Sequence, residues 1–496
     1  LPACVKVIIT SREKFSFLPI HLPCLPQDDG LRLIKQQAEE RGISLSEEDS
    51  KLLYDRTGGI PLAMVYAVGQ ISSGNFLDAV LKRLASATGD PARFIFESAV
   101  REMNGQPPHK LLMALAIFPD PPTQTTVVEI AGLTAIPDAV NDGWARLYQL
   151  SFASLNQRSG RYEMLSLTRE YALAELATNP GFERQARSRW VSWYLDFAQR
   201  YAGDDWEHWI HFSKLEEEEG NLREILIWCK NQDDYETVRD LWLLLNNYAN
   251  LYGYWVDRLD WLEWLIEQSK LRVEWATFVK MVIRKSWLLI RMCSDENLQE
   301  ANELLMQAWN LRSHADLHVQ ADLAESIARL QIRQKNFQDA CFWLDREENL
   351  VIEANLEEHL HVRYFIPILY HRAEIFHLEG NYEQAKCFFR EVLSNAERIK
   401  WYRVINSAQN WLADIAIEQG DRDTSLRLLT EGLTVAETSK NQRRLARYQR
   451  SFARWQKKWG SLDTARQWGT TAMNGFERLS MTREKDEMQS FLNRLG

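Results

Sequence analysis

The chain has 496 residues, which is too long for one hydrophobic core, so we expect about three domains. Hydrophobic residues make up 45% and charged residues 26% of the sequence, proportions that exclude a disordered protein and are typical of a globular one. The formal net charge of −10 disfavours general binding to phosphate backbones, although it is compatible with a local basic patch.

The sequence contains no stretch of about 18 uncharged apolar residues, so we expect no membrane span. Its first residues lack the pattern of a signal peptide, which favours a cytoplasmic location. The cysteines lie far apart without a Cys-x-x-Cys pair, and this predicts reduced cysteines that are buried as small hydrophobic residues. The histidine pairs His208/His211 and His314/His318 lack evident third and fourth ligands, so we expect no metal site.

Residues 1–26 begin with Val5–Thr10, the pattern of a buried parallel β-strand, which needs neighbouring strands. We therefore expect these residues to be the C-terminal remnant of an α/β domain, so that the sequence begins inside that domain. Arg12 follows the strand directly, where a side chain points into the ligand crevice of an α/β domain and can meet a phosphate. The alternative is a surface arginine at a strand end.

Residues 27–106 have helical periodicity. Ser46, followed by Asp49, predicts a capping box at the start of a helix, and Gly58-Gly59 predicts its end. Pro61 opens the next apolar helix and presents a rigid apolar face that suits a purine, although a plain helix break explains it equally well.

Residues 107–180 read as three helices followed by a β-hairpin around Asn156–Gly160, which is the pattern of a winged-helix domain. The helix predicted at Asp138–Leu150 would read DNA in such a domain, but Arg146 is its single cation. We therefore expect it to be a packing element and DNA binding through it to be weak.

The remaining sequence is helical, with a linker or early repeats at 181–284 and a repeat array at 285–496. Three sets of residues recur at intervals of 40: Ala373, Ala413 and Ala453; Gly380, Gly420 and Gly460; Ala385, Ser425 and Ala465. Small residues allow two helices to cross closely, and glycine permits the positive φ of a turn. The pattern predicts stacked helical hairpins, so the predicted fold class is mostly α, with an α-solenoid after the winged helix.

The array resembles tetratricopeptide repeats in a variant of about 40 residues. The first 180 residues resemble the STAND class of NTPases, close to the NB-ARC family. Three segments carry this resemblance: Val7–Arg12 is similar to the sensor 1 motif, Gly58–Ala63 to the GxP motif of the helical lid, and Arg161–Ala172 to the end of the winged helix.

The resemblance implies that ADP or ATP binds to the intact protein, with Mg²⁺ only there. The implied nucleotide-binding residues are Thr10, Ser11, Arg12, Gly59 and Pro61. Arg12 would contact the terminal phosphate and Pro61 would pack on adenine, so the two side chains should face one shared crevice.

Two departures from the family limit this interpretation. The sequence has no Gly-x-x-x-x-Gly-Lys-[Ser/Thr] loop and no apolar strand ending in paired acidic residues, so this chain alone should not be catalytic. The intact protein would be a slow ATPase. Met164-Leu165-Ser166 stands where the family has Met-His-Asp, and a leucine cannot donate the hydrogen bond of that histidine to ADP.

A basic stripe follows helical spacing near the C-terminus, with aromatic residues between its members. The stripe consists of Arg443, Arg444, Arg447, Arg450, Arg454, Lys457 and Lys458. One interpretation is contact with an anionic ligand or nucleic acid in a groove of the repeats. The other is a repeat helix with core aromatics and solvated arginines. We expect reversal of Arg447, Arg450 and Arg454 to glutamate to leave the fold intact and to weaken binding of any anionic partner.

Together these features predict part of a STAND-type nucleotide-dependent switch, whose repeats sense a small ligand or bind a partner protein and which can self-associate. Two alternatives stay open. The chain can be a stand-alone interaction scaffold of tetratricopeptide-like repeats, or a transcription regulator whose effector domain lies outside this sequence.

Overall fold

The computed structural model describes residues 24–85, 91–203, 209–252 and 256–495. The chain divides into two compact units, residues 1–193 and 194–496. Within the described residues the structure is α-helical apart from one two-stranded hairpin, which confirms the predicted fold class. The strand predicted at Val5–Thr10 lies outside the described residues. None of the described helices is both long enough and apolar enough to cross a membrane.

The first unit begins with five helices, whose starts and ends follow local sequence signals. They are α1 (Gln27–Glu40), α2 (Glu47–Thr57), α3 (Pro61–Ser72), α4 (Leu77–Ala85) and α5 (Pro91–Met103). The predicted capping box is present, because the Ser46 hydroxyl accepts from the Asp49 amide at 3.1 Å while the Ser46 amide donates to the Asp49 carboxylate. Gly58 ends α2 with a φ of 62°, as predicted.

The unit continues with three helices, a hairpin and two further helices, in the predicted order. These are α6 (Pro107–Ala116), α7 (Gln124–Ala131), α8 (Pro137–Gln149), β1 (Ser154–Asn156), β2 (Arg161–Glu163), α9 (Ser166–Ala177) and α10 (Pro180–Tyr201), whose last residues belong to the second unit. The strands are antiparallel with Leu155 opposite Tyr162, and Thr123 adds an isolated bridge to Arg161.

The segments on either side of residue 106 share one core. Gly69 of α3 approaches the end of α8 so closely that a Cβ atom there would lie 2.7 Å from the Gln149 carbonyl oxygen. The hydroxyls of Tyr66 on α3 and Thr168 on α9 are 2.5 Å apart and buried. Aromatic contacts between Tyr66 and Phe152 complete this core. The lid-like helices and the hairpin segment are therefore packed together in the first unit.

The second unit is a succession of helical hairpins. Its helices are α11 (Phe212–Glu216), α12 (Glu219–Asn231), α13 (Tyr235–Tyr252), α14 (Val256–Leu271), α15 (Trp275–Met292), α16 (Asp295–Asn310), α17 (Leu317–Gln334), α18 (Phe337–Glu353), α19 (Glu358–Leu378), α20 (Tyr382–Arg398), α21 (Tyr402–Gln419), α22 (Arg422–Thr438), α23 (Gln442–Trp459), α24 (Leu462–Arg478) and α25 (Thr482–Asn493). Helices α20, α22 and α24 begin 40 residues apart, which is the predicted repeat.

The small residues of the repeat pack as predicted. All six are inaccessible to solvent: Ala373, Ala413, Ala453, Ala385, Ser425 and Ala465. Gly380 and Gly420 have positive φ angles of 81° and 84°. The expectation fails at Gly460, whose φ is −119°, because α23 ends without a left-handed residue and α24 begins directly from a Ser461 cap.

The prediction that the cysteines are buried is wrong for most of those described. Cys229 is buried, and burial raises its pKa to about 12. Three others, Cys24, Cys341 and Cys387, are exposed, and Cys4 lies outside the described residues. Their wide sequence separation predicted the absence of a disulfide framework but carried no information on burial.

Candidate functional site

Two of the five residues predicted to bind nucleotide lie in the described part of the chain. Gly59 has a φ of 72°, and a Cβ atom there would lie 2.9 Å from the Leu25 carbonyl oxygen. The Leu25 amide donates to the Gly59 carbonyl at 2.9 Å, so the segment entering α1 is bound to this loop. Pro61 is exposed as the first residue of α3. Thr10, Ser11 and Arg12 lie outside the described residues, so the crevice shared by Arg12 and Pro61 stays a prediction.

The candidate DNA-reading helix α8 uses its cation within the first unit. The Arg146 guanidinium donates to the Ser73 carbonyl at 3.0 Å and lies 3.6 Å from the Glu102 carboxylate. Trp144 is buried with its ring 4.0 Å from that of Tyr162. One face of α8 is therefore a packing face, and its exposed face carries Asp138 and Asp142 but no cation.

A deep groove in the second unit is lined by many charged residues. Its inner stretch, which we call the arginine cavity, has a volume of about 260 Å³ and is lined by α13 and by the first helices of successive hairpins, α15, α17, α19, α21 and α23. Nine arginines and three carboxylates, Asp322, Glu325 and Glu374, line it. This excess of six positive charges lies inside a chain whose net charge is −10.

Helix α23 supplies one wall of the arginine cavity. Its aromatic residues Tyr448, Phe452 and Trp455 recur at intervals of three and four and enter the core with Ala413 and Leu429. The arginines therefore fall on the neighbouring face, which lines the groove. Close approach of α22 at Gly432, where a Cβ atom would lie 2.0 Å from the Tyr448 hydroxyl, fixes the rotation of α23.

The expectation of solvated arginines on α23 is only partly right. The aromatic residues are core residues, as that interpretation required. Arg444 and Arg447, however, are only 5% and 4% exposed, because they point into the groove and not toward the outer surface of the array.

The second half of the stripe is neutralised by acidic residues of α21. Arg450 lies 3.5 Å and Arg454 3.6 Å from the carboxylate of Asp414, which is 1% exposed, and Arg454 also pairs with Glu418. Burial alone would raise the pKa of Asp414, but the charges of Arg454 and Arg450 lower it below its ordinary value. Reversal of Arg450 and Arg454 would place carboxylates beside this buried one, so we no longer expect that change to leave the fold intact.

The first half of the stripe has no such partners. Within the ranges that the structure describes, the guanidinium groups of Arg443, Arg444 and Arg447 form neither an ion pair nor a hydrogen bond. The Nε atoms of Arg443 and Arg447 and the Nη1 atom of Arg444 are buried without any acceptor. Burial, together with the neighbouring charge of Arg447, lowers the pKa of Arg444 to about 10.

A fourth arginine of the same kind lies on α15. Arg291 is 7% exposed, its Nε and Nη1 atoms have no acceptor, and its guanidinium carbon stacks 3.8 Å from the ring centre of Trp287. Lys285 on the same helix is also buried, but its charge is compensated, because it pairs with Glu263 and Glu300 at 2.9 and 2.5 Å. Arg291 was not singled out from the sequence, because one arginine in an apolar helix has no distinguishing pattern.

The carboxylates of the arginine cavity are engaged by a histidine that sequence reasoning also missed. The ring nitrogens of His371 lie 3.3 Å from Glu325 and 3.2 Å from Glu374. Burial opposes protonation of His371, but the hydrogen bonds to the two carboxylates raise its pKa to about 8. Despite their burial, the two glutamates have pKa values lowered to about 2, with the hydrogen bond to His371 as the leading cause of the decrease.

Comparison with known proteins supports the fold. No protein-family model matches the chain. Transcription activator GutR of Bacillus subtilis is 21% identical over 276 residues, which cover 49% of this chain and 33% of GutR. A solved structure of a STAND protein with a tetratricopeptide repeat sensor, from Pyrococcus horikoshii, superposes with a TM-score of 0.53 at 14% identity. It covers 94% of this chain and 62% of that protein.

The superposition on the STAND protein reaches both units of the chain. At such low identity the superposition shows a shared fold and no shared activity. The chain also spans one third of GutR and less than two thirds of the STAND protein. The chain therefore shares the mostly helical fold of the part of that structure on which it superposes.

Proposed function

We propose that this chain is the lid, winged-helix and sensor portion of a STAND-type switch that binds ADP or ATP. The observation that carries the proposal is the fold shared over 94% of the chain with a STAND protein that has a tetratricopeptide repeat sensor. In this proposal α1–α5 form the lid, α6–α9 with the hairpin form the winged helix, and the second unit receives the signal.

The residues around α3 are chemically suited to one side of a nucleotide. The space at Gly59 excludes any side chain, and the exposed ring of Pro61 offers a flat apolar surface to a purine. Arg12 would supply the contact to the terminal phosphate. When bound, the nucleotide would add charged phosphates that hold lid and winged helix in one arrangement.

The proposed switch has two states, one in which lid and winged helix are packed together and one in which they are separated. The Gly69 approach to α8 and the Tyr66–Thr168 hydrogen bond must break if the two pieces separate. A ligand that binds the repeats can favour separation only if it binds the open state more tightly than the closed one. Ligand and nucleotide would thus both shift the equilibrium between the closed and the open arrangement of lid and winged helix.

The test uses the complete protein from the reading frame that contains this sequence. We expect it to retain ADP after purification, measured by chromatography of the denatured sample. Arg12→Ala should weaken ATP binding at least about tenfold, since a charged hydrogen bond is lost. Pro61→Ala should weaken ADP binding, whereas Pro107→Ala, at the same helix position in α6, should not. A complete protein that neither retains nor binds nucleotide would leave an interaction scaffold as the function.

A second candidate function, transcription regulation, is favoured by the similarity to GutR, which is described as a transcription activator. Since Arg146 is engaged within the first unit, we expect DNA contacts to come from a part of the protein outside this sequence. In an electrophoretic shift assay this chain alone should not retard DNA, and the complete protein should do so. A shift with this chain alone would assign DNA binding to it instead.

A further inference from the structure

The four arginines without partners suggest what chemistry the groove recognises. We propose that the arginine cavity binds a small organic polyanion, a phosphate monoester or a polycarboxylate, through Arg443, Arg444 and Arg447 of α23, with Arg291 of α15 lining the same cavity. The inference deepens the proposed sensor function, on which it rests, by naming the class of its ligand.

The balance of charge in the cavity supports an anion with more than one negative charge. Nine arginines and three carboxylates line the cavity, and two of these carboxylates are already hydrogen-bonded to His371. Arg329 lies 3.6 Å from Glu325, and Arg333 lies 3.4 Å from Glu484 outside the lining, which still leaves more arginines than carboxylates. A buried guanidinium with no acceptor is costly, because its desolvation is not offset by an ion pair or hydrogen bond. The oxygens of a phosphate or of several carboxylates are the acceptors that guanidinium groups match best.

The position of the arginines along α23 adds to this preference. They lie in the first two turns of the helix, which starts after Asn441, whose side chain accepts from the Arg444 amide at 3.1 Å. The positive end of the helix dipole therefore lies on the same side as the three positive charges. Burial lowers the pKa of Arg443, and the neighbouring charges of Arg444 and Arg447 lower it further.

Aromatic residues beside the arginines can receive the carbon skeleton of the ligand. Tyr370 and Trp287 line the cavity, and the Tyr370 hydroxyl accepts at 2.7 Å from the indole N–H of Trp411, which lies outside the lining. Tyr370 is also hydrogen-bonded to Ser407 at 2.8 Å, which holds the phenol in place. This combination of fixed aromatic surface with a few convergent charged groups is typical of small-molecule sites.

The size of the cavity favours a small molecule over a peptide or a nucleic acid. A cavity of 150 Å³ holds benzene, so 260 Å³ suits roughly ten non-hydrogen atoms. Farther along the groove Arg450 and Arg454 are already paired with Asp414 and Glu418, so an extended polyanion would gain little from these two arginines. The net charge of −10 would also repel a nucleic acid from the rest of the chain.

The experiment is calorimetric titration of this chain in a chloride buffer free of phosphate. The probes are inorganic phosphate, glycerol 3-phosphate and citrate, with glycerol as the neutral control and hexaglutamate as the acidic peptide. We expect glycerol 3-phosphate or citrate to bind with a Kd on the order of 0.1 mM or tighter, and glycerol not to bind. The stronger of the two distinguishes a phosphate site from a carboxylate site.

Single substitutions on α23 decide whether the arginine cavity is the site. Arg444→Gln and Arg447→Gln should each weaken binding of the better probe at least about tenfold. Arg454→Gln is the matched control from the same helix, because this arginine is paired with α21 and lies outside the cavity, and it should change affinity by less than about twofold. Arg291→Gln should weaken binding as well, and the Tm of each variant reports whether it is folded.

Three outcomes would overturn the inference. These are no binding by any small anion, binding by hexaglutamate alone, and equal weakening in the Arg447 and Arg454 variants. If these experiments contradict the anion site but the complete protein still retains ADP, the proposed nucleotide switch is unaffected. Conversely, an anion that binds the cavity in a protein without nucleotide would preserve the inference and overturn the switch.

Discussion

Helix α23 offers two regions for comparison, because its two halves carry similar residues along one face. Arg443, Arg444 and Arg447 line the first half and have no described partner, whereas Arg450 and Arg454 in the second half pair with Asp414 and Glu418. The same helix, spacing and residue type thus produce a stabilising ion-pair network in one half and an unsatisfied charged surface in the other.

The difference originates in the neighbouring helix α21. Ion pairs between α21 and α23 join residues 36 or 40 positions apart, as in Asp414 with Arg450 and with Arg454. The corresponding positions opposite Arg443 and Arg447 include Arg403, Ser407 and Trp411, none of which is acidic. Whether a basic stripe in a repeat array forms ion pairs or stays available to a ligand therefore depends on whether the facing helix of the preceding repeat carries acidic residues.

The largest effect on stability is expected from removing the carboxylate that Arg450 and Arg454 share. Asp414→Ala leaves Arg450 and Arg454 beside each other in the groove without the buried carboxylate that they share, and we expect a loss of about 3 to 5 kcal/mol in the free energy of unfolding. Urea denaturation followed by tryptophan fluorescence would measure it. Asp423→Ala, in the exposed first turn of α22, is the control and should cost much less. Similar losses for both would mean that the ion pairs do not stabilise the second half.

The sequence predicted the repeat because packing of small residues imposes its period directly. Ala373, Ala413 and Ala453 are buried at intervals of 40 residues, and the capping box at Ser46 is equally local. The same period, applied to charges, would have paired Arg454 with Asp414 and left Arg443 opposite Arg403. What no local pattern contained was the convergence of Arg291 with α23, since that depends on the curvature of the whole array.

The role of Gly460 shows the limit of transferring one repeat to the next. Gly380 and Gly420 adopt the left-handed conformation that the turn predicts, whereas Gly460 does not, although it occupies the same repeat position.

The residues predicted to bind nucleotide show a different limit of prediction from sequence. Gly59 and Pro61 are at the end of α2 and the start of α3, as predicted, but their roles depend on Arg12, which lies outside the described residues.

A smaller effect on the free energy of unfolding is expected from pH, through His371 between the two carboxylates of the arginine cavity. The pKa of His371 is about 8 in the folded protein and 6.5 ordinarily, so protonated His371 stabilises the fold below pH 6.5 and this contribution is lost as pH rises through 8. We expect the free energy of unfolding to fall by about 2 kcal/mol between about pH 6 and pH 9. The lowered pKa values of Glu325 and Glu374 act only at more acidic pH.

Denaturation curves of His371→Gln across that range should lack this decrease. His359→Gln is the control, because His359 is half exposed and should leave the decrease in place. A decrease that persists in His371→Gln would assign the pH dependence to another group. It would also leave Glu325 and Glu374 free to neutralise arginines, and the two halves of α23 would then differ less than the geometry indicates.

The smallest expected effect is an increase in the free energy of unfolding, opposite to the decreases predicted above, and it concerns the first half of α23. Arg444→Gln removes a buried charge that has no partner and that repels Arg443 and Arg447, so without a ligand the free energy of unfolding should stay unchanged or increase by about 1 kcal/mol. Arg450→Gln should decrease it, since Asp414 then loses a partner. Both are measured by urea denaturation in chloride buffer. A loss for Arg444→Gln as large as that for Arg450→Gln would mean that Arg444 is paired in solution. Opposite signs would show that Arg444 is an unpaired, destabilising charge, which is the state that a bound anion would relieve.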